Sequence, residues 1–157
     1  NKNYLAMQKK LAFFLATFVL SFCLATTQAT AQYTNAIGVH VGAPAGITYK
    51  HFMSDRTALE AIAGAYFGVN GGGSLTLLVE QHAELFMPNL NLVYGLGGHV
   101  GVASSSLMLG ADGIVGFEYT FDAPINFMFN VKPTLGLQDR RFMFTMGGGL
   151  ALRYILN

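Results

Sequence analysis

From Ala36 onward, apolar side chains recur at every second position, the period of a strand whose two faces meet different surroundings. The last stretch is the clearest. Phe142, Phe144, Met146, Leu150, Leu152, Tyr154 and Leu156 fall on one face, with Met143, Thr145, Gly147, Gly149, Ala151 and Arg153 on the other. Further back, Phe127, Phe129, Val131, Leu135 and Leu137 oppose Asn126, Asn130, Lys132 and Thr134. Val115, Phe117, Tyr119 and Phe121 oppose Gly116, Glu118 and Thr120, and Leu75, Leu77 and Val79 oppose Thr76, Glu80, His82 and Glu84.

The pattern predicts eight strands: Ala36 to Gly42, Gly46 to Met53, Thr57 to Gly68, Ser74 to Leu85, Leu90 to Val102, Asp112 to Phe121, Asn126 to Leu137 and Phe142 to Leu156. Between them lie Ala43-Pro44-Ala45, Ser54-Asp55-Arg56, Asn70 to Gly73, Met87-Pro88-Asn89, Ala103 to Ala111, Asp122-Ala123-Pro124 and Gln138 to Arg141. These segments carry the residues that tight or left-handed backbone requires.

Which face is wet decides the kind of β protein. Charged residues sit in mid-strand on the face that also carries the glycines, while the opposite face is an apolar and aromatic belt. A soluble barrel turns its large apolar side chains inward. This pattern is inverted, and predicts an all-β fold: an eight-stranded antiparallel up-and-down transmembrane β-barrel with lipid outside and a polar lumen. Closure satisfies every backbone hydrogen bond without water. Strands near ten residues long suit a tilted crossing of the ~30 Å hydrocarbon layer. The competing reading is a soluble secreted ligand-binding β-barrel, left open by glycine- and alanine-rich third and fifth strands.

Composition points the same way. Charged residues make up 11% of the chain and hydrophobic ones 52%, with 19 glycines and no tryptophan. A water-soluble domain averages about 25% charged residues. Beyond Gln32 no apolar run is long enough for a spanning helix.

The N-terminal segment reads as an address. Met7-Gln8-Lys9-Lys10 precedes an apolar run from Leu11 to Ala25, and Ala29-Thr30-Ala31 ends a small-residue stretch. This is the layout of a cleaved secretory signal over 7–31, with the barrel over 32–157 and residues 1–6 an upstream extension. The single cysteine, Cys23, falls in the signal, which removes thiol chemistry from the barrel. Past Gln32, six Lys/Arg face eight Asp/Glu, so no basic patch for nucleic acid is expected.

The inward face collects the candidate chemistry: Lys50, Glu60, Glu80, His82, His99, Glu118, Lys132 and Arg153, with His40, Tyr66, Glu84 and Asp112. An eight-stranded barrel is just wide enough for side chains to fill it, so these groups are expected to pair as a structural network. A turn centred on Asp55 would set Lys50 directly opposite Glu60, and Glu118 and Arg153 lie at similar depth. A proton or ion relay is the functional alternative. His40, His82 and His99 come from separate strands without ligand spacing, so no metal or other cofactor is expected. Ser104, Ser105 and Ser106 near His99 offer a weak hydrolase arrangement, and no catalysis is expected. Gly71 to Gly73 and Gly147 to Gly149 lack the Lys-Ser/Thr and the helix of a phosphate loop.

Four segments carry a family likeness: Gly46 to Phe52 (Gly-Ile-Thr-Tyr-Lys-His-Phe), Gly113 to Phe121, Pro124-Ile125-Asn126 through Lys132-Pro133, and Leu152-Arg153-Tyr154. On these the chain resembles the small outer-membrane β-barrel proteins of Gram-negative bacteria, in the OmpA-like and OmpX-like eight-strand class, from Ala36 to Tyr154. The resemblance implies residence in the cell outer membrane, contact with its lipid and with the barrel-assembly machinery during insertion, a monomer, and no catalytic residues to transfer. Such barrels finish on an aromatic residue read at insertion. Here Tyr154 stands nearest that role, before Ile155-Leu156-Asn157.

The expected function is therefore a structural or surface role in the envelope, with a narrow channel or small-solute carrier as alternative. Both chain ends are expected on the periplasmic side. That sends the loops after strands one, three, five and seven outward, with Ala103 to Ala111 the longest.

Overall fold

The computed structural model describes residues 33–67, 71–103, 106–138 and 141–156. The signal at 7–31, its upstream extension, Gln32 and Ser104 and Ser105 lie outside the described residues. Eight strands follow in order: β1 (Asn35–Ala43), β2 (Ala45–Phe52), β3 (Thr57–Tyr66), β4 (Gly72–Glu84), β5 (Leu90–Ala103), β6 (Ser106–Thr120), β7 (Ile125–Gln138) and β8 (Arg141–Ile155). Each pairs antiparallel with the next, and β8 pairs with β1 from Ala36–Ile155 to Ala43–Gly148, which closes the barrel.

The registers fix the tilt. A step from strand to strand starting at Ala36 passes Lys50, Glu60, Leu78, Gly97, Asp112, Thr134 and Thr145. Thr145 lies ten residues from Ile155, the partner of Ala36 itself. A stagger of that size in eight strands tilts them by roughly 40°. Such strong curvature crowds the inner face, and glycine relieves it. At Gly38 a Cβ would strike the Leu152 carbonyl oxygen, and at Gly97 that of Leu77.

Turns at the end where the chain enters and leaves the barrel are short. Met53 N donates to Thr57 O (2.8 Å), Leu85 N to Leu90 O (2.9 Å) and Phe121 N to Ile125 O (3.0 Å). Asn89 takes the left-handed conformation (φ 67°), which its short polar side chain tolerates. Pro133 sits within β7, where its missing N–H interrupts the ladder opposite Gly113 and Ile114. Gly113 leaves room for the ring, whose Cγ would lie 3.1 Å from an added Cβ.

One expectation fails. The segment from Ala103 to Ala111 is not a long loop, because β6 begins at Ser106, paired with Ala103. Leu107 and Leu109 face out while Met108 and Gly110 turn in, so the period of two already holds from Ser106 onward. Small residues that resemble a loop are here the ones a narrow lumen admits. The far end differs around its circumference through strand length instead: β1 and β2 have 9 and 8 residues, β5 to β8 have 14 or 15.

Burial settles the faces. Phe127, Phe129, Phe142 and Phe144 are exposed on the outer surface, whereas Glu118 and Lys132 are 0% and 3% exposed inside. In β3 and β5, Leu59, Leu96, Val100 and Val102 point out, and Glu60, Ile62, Val93 and His99 point in.

Candidate functional site in the barrel lumen

The lumen is layered along its axis. At the chain-terminal end, Tyr33 enters the barrel mouth before β1 begins and packs edge-on against Phe52, ring centroids 4.9 Å apart. Phe52 in turn lies 4.7 Å from the His82 ring. The Tyr33 hydroxyl donates to Glu118 Oε1 (3.0 Å). Burial, reinforced by the Glu118 carboxylate, pushes that phenol well above its usual pKa, so it remains a donor.

Above this stopper sits a fully buried ionic cluster. The β2–β3 turn sets Lys50 opposite Glu60, with Nζ 3.8 Å from Glu60 Oε2. The same ammonium reaches across the barrel to Glu80 Oε2 (2.7 Å) and Glu118 Oε2 (2.6 Å). Arg153 spreads its guanidinium over Glu60, Glu118 (3.4 Å), Asn126 Oδ1 (3.0 Å) and Thr48 Oγ1 (3.3 Å). Thr48 also donates to Glu60. His82 Nε2 lies 3.4 Å from Glu118 Oε1. Each cation thus serves more than one carboxylate, as burial in a low-dielectric interior demands.

Apolar side chains fill the lumen beside and above this cluster: Met128 is registered with Glu118, its Sδ 3.8 Å from Lys50 Nζ, and Val93 is registered with His82. Ile62, Leu78, Val93, Ile114, Met128 and Ala151 form one buried cluster inside the barrel. Strand parity could have found it, since Ile62 shares a face with Glu60 and Leu78 with Glu80. Asn126 and Asn130 were placed on the inner face but not in the network, and Thr48 and Tyr33 were missed. The first three are short polar side chains with no charge to draw the eye, and Tyr33 precedes the strands.

Higher still, His40 Nδ1 meets Pro44 O (2.7 Å) and its Nε2 lies 3.4 Å from Asn130 Nδ2. His99 Nδ1 meets Asp112 Oδ2 (2.9 Å), whose other oxygen accepts from Thr134 Oγ1 (2.6 Å). His40, His82 and His99 therefore keep separate partners, and among the described residues no three His, Cys, Asp or Glu converge as a metal site. Lys132 is buried beside this belt with no hydrogen-bond partner on its Nζ. Glu84 is half-buried at the chain-terminal end, and Tyr66 lines the opposite mouth.

That mouth holds a cavity of about 300 Å³, reached by Tyr66, His99, Met108, Thr134, Met143 and Thr145. The lumen is thus packed from the chain-terminal end to mid-height and open beyond. Comparison with family models, with curated proteins and with solved structures returned no match, so fold and lumen geometry carry the functional reading.

Proposed function

We propose that this chain is an integral β-barrel of a bacterial outer membrane, with a side-chain-filled lumen and a structural or surface role in the envelope. One observation carries the reading: the molecule is inverted. Its outer wall exposes Val39, Ile47, Leu77, Val79, Phe117 and Leu152, each near half of its surface, while Lys50, Glu60, Glu80, Glu118 and Arg153 are sealed within. Soluble monomers rarely expose an apolar wall of this extent, which supports lipid as its surroundings.

Dimensions support it. The nine residues of β1 rise roughly 20–25 Å when tilted, close to the apolar band of such barrels. Aromatics gather near the chain-terminal end, where Tyr119 is registered with Phe127 and stacks edge-on with Phe121 at 4.9 Å. Tyr49 and Tyr154 both flank Ile37 there. Interfacial girdles have this composition. The expected partners are outer-membrane lipid and the assembly machinery, and the reading assigns no catalytic step.

Cell fractionation combined with gel migration before and after boiling tests it. The expected result is an outer-membrane band that migrates faster unheated. Recovery in the periplasm without detergent would overturn it. In planar bilayers the purified barrel should pass essentially no current, which separates this reading from a channel.

A further inference from the structure

Among the described residues, no Asp, Glu, Lys or Arg lines the far-end cavity. Met108 and Met143 supply apolar wall, and Tyr66, His99, Thr134 and Thr145 supply its polar groups. Two inward glycines shape the space. Gly110 is registered with His99 and gives the imidazole its place, since an added Cβ would collide with His99 Cε1. At Gly136, itself part of the lining, an added Cβ would meet nothing closer than the Leu109 and Met143 carbonyl oxygens, both 3.9 Å away.

His99 is the one lining group whose hydrogen bonding has a fixed sense. Its Nδ1 lies 2.9 Å from Asp112 Oδ2, and Asp112 Oδ1 accepts from Thr134 Oγ1 at 2.6 Å. A carboxylate, ionised at neutral pH, only accepts. Nδ1 therefore carries the ring hydrogen and Nε2 presents a lone pair. Nε2 has no partner among the described residues, yet it is not sealed as both His82 nitrogens are, so it opens on the cavity that its ring lines. Thr134 has spent its hydrogen on Asp112, while the Tyr66 and Thr145 hydroxyls can donate or accept. Only 9% of the His99 surface is exposed, and an acceptor so withdrawn from water calls for a donor.

We infer that the far-end cavity binds a small neutral phenol, its hydroxyl donating to His99 Nε2. A neutral ligand suits a lining without charged side chains. An aromatic body suits Met108 and Met143, because thioethers make favourable contacts with rings. At about 300 Å³ the cavity is of the size that small-molecule sites begin at, and it has their make-up of apolar wall with few polar groups. Asp112 is a positioning residue, holding the imidazole in the tautomer that accepts. This binding role goes beyond the envelope role proposed above and rests on the lumen geometry alone.

The test uses purified, folded protein in detergent micelles and mildly alkaline buffer, with ¹⁵N in the histidine rings and ¹³C in the methionine methyl groups. Free protein should show His99 protonated at Nδ1. Titration with para-ethylphenol should move the Met108 and Met143 methyl signals and the His99 Nε2 signal saturably. Para-ethylanisole, which has lost the hydroxyl hydrogen, should bind about ten-fold more weakly, the worth of one hydrogen bond. His99→Phe should bring the phenol down to the level of the anisole, and Gly136→Leu should block both by filling the cavity. Where either variant does not fold, the wild-type comparison decides. A free His99 protonated at Nε2, no saturable movement, equal affinity for phenol and anisole, or unchanged phenol binding in folded His99→Phe or Gly136→Leu overturns the inference. None of those outcomes bears on membrane residence, which fractionation reads independently.

Discussion

At the scale of single residues, the informative side chains are the charges with no access to water. Arg153 is bound to two carboxylates, an amide and a hydroxyl. Arg153→Met leaves Glu60 and Glu118 without that compensation, and should cost about 3–5 kcal/mol in urea unfolding from vesicles. Arg141→Met, at an exposed position, should stay within about 0.5 kcal/mol. A second test follows from Lys50, held 2.7 Å from Glu80. Lys50→Met combined with Glu80→Gln should be less destabilising than Lys50→Met alone, because the pair is removed together. Alternation assigns these residues to the inner face, but it does not say whom they meet. Lys50 and Glu118 lie on β2 and β6, across the lumen from one another, and only the barrel's width brings them to 2.6 Å. The Lys50–Glu60 pairing was legible because a short turn fixes it locally.

At the scale of elements, closure depends on what the inner face leaves out. Gly38→Val would push a branched side chain into the β8 backbone at Leu152. It should abolish the fast-migrating unheated band, while Val39→Leu, on the outer face, should leave it intact. Strand limits were readable where turns carry Pro, Gly, Asn or Asp. β6 was not, for its first residues, Ser106 to Ala111, mix small and apolar types that serve equally in a loop. Two physical cues, Leu107 and Leu109 on one parity, were present but short. Pro133 stood inside a predicted strand, and its tolerance there depends on Gly113 across the ladder, a pairing that only the register reveals.

At the scale of the whole molecule, the proposed solvent of each surface can be tested directly. Phe129 is half exposed on the outer wall. In vesicles, Phe129→Arg should cost about 2–4 kcal/mol if it faces the hydrocarbon midplane. A soluble barrel would tolerate the change or gain solubility from it, and equal stability of the two proteins would contradict the membrane assignment. What no pattern along the chain reveals is the internal layering, in which an aromatic stopper, a mixed ionic and apolar middle and an open mouth succeed one another. Each layer is assembled from residues on several strands, and its height depends on a stagger that accumulates around the ring.

The difference between an 8-residue β2 and a 15-residue β6 means that the cylinder is cut on the slant. Such a body has a front and a back: in the proposed membrane setting, a neighbour gliding toward it in the bilayer plane would meet a low lip on one side and a parapet on the other. Nitroxide labels at Ala45 and Leu107 would then ride at heights separated by roughly 10–15 Å. Collisions with a water-borne relaxant should be frequent at Leu107, and those with oxygen dissolved in lipid should be frequent at Ala45.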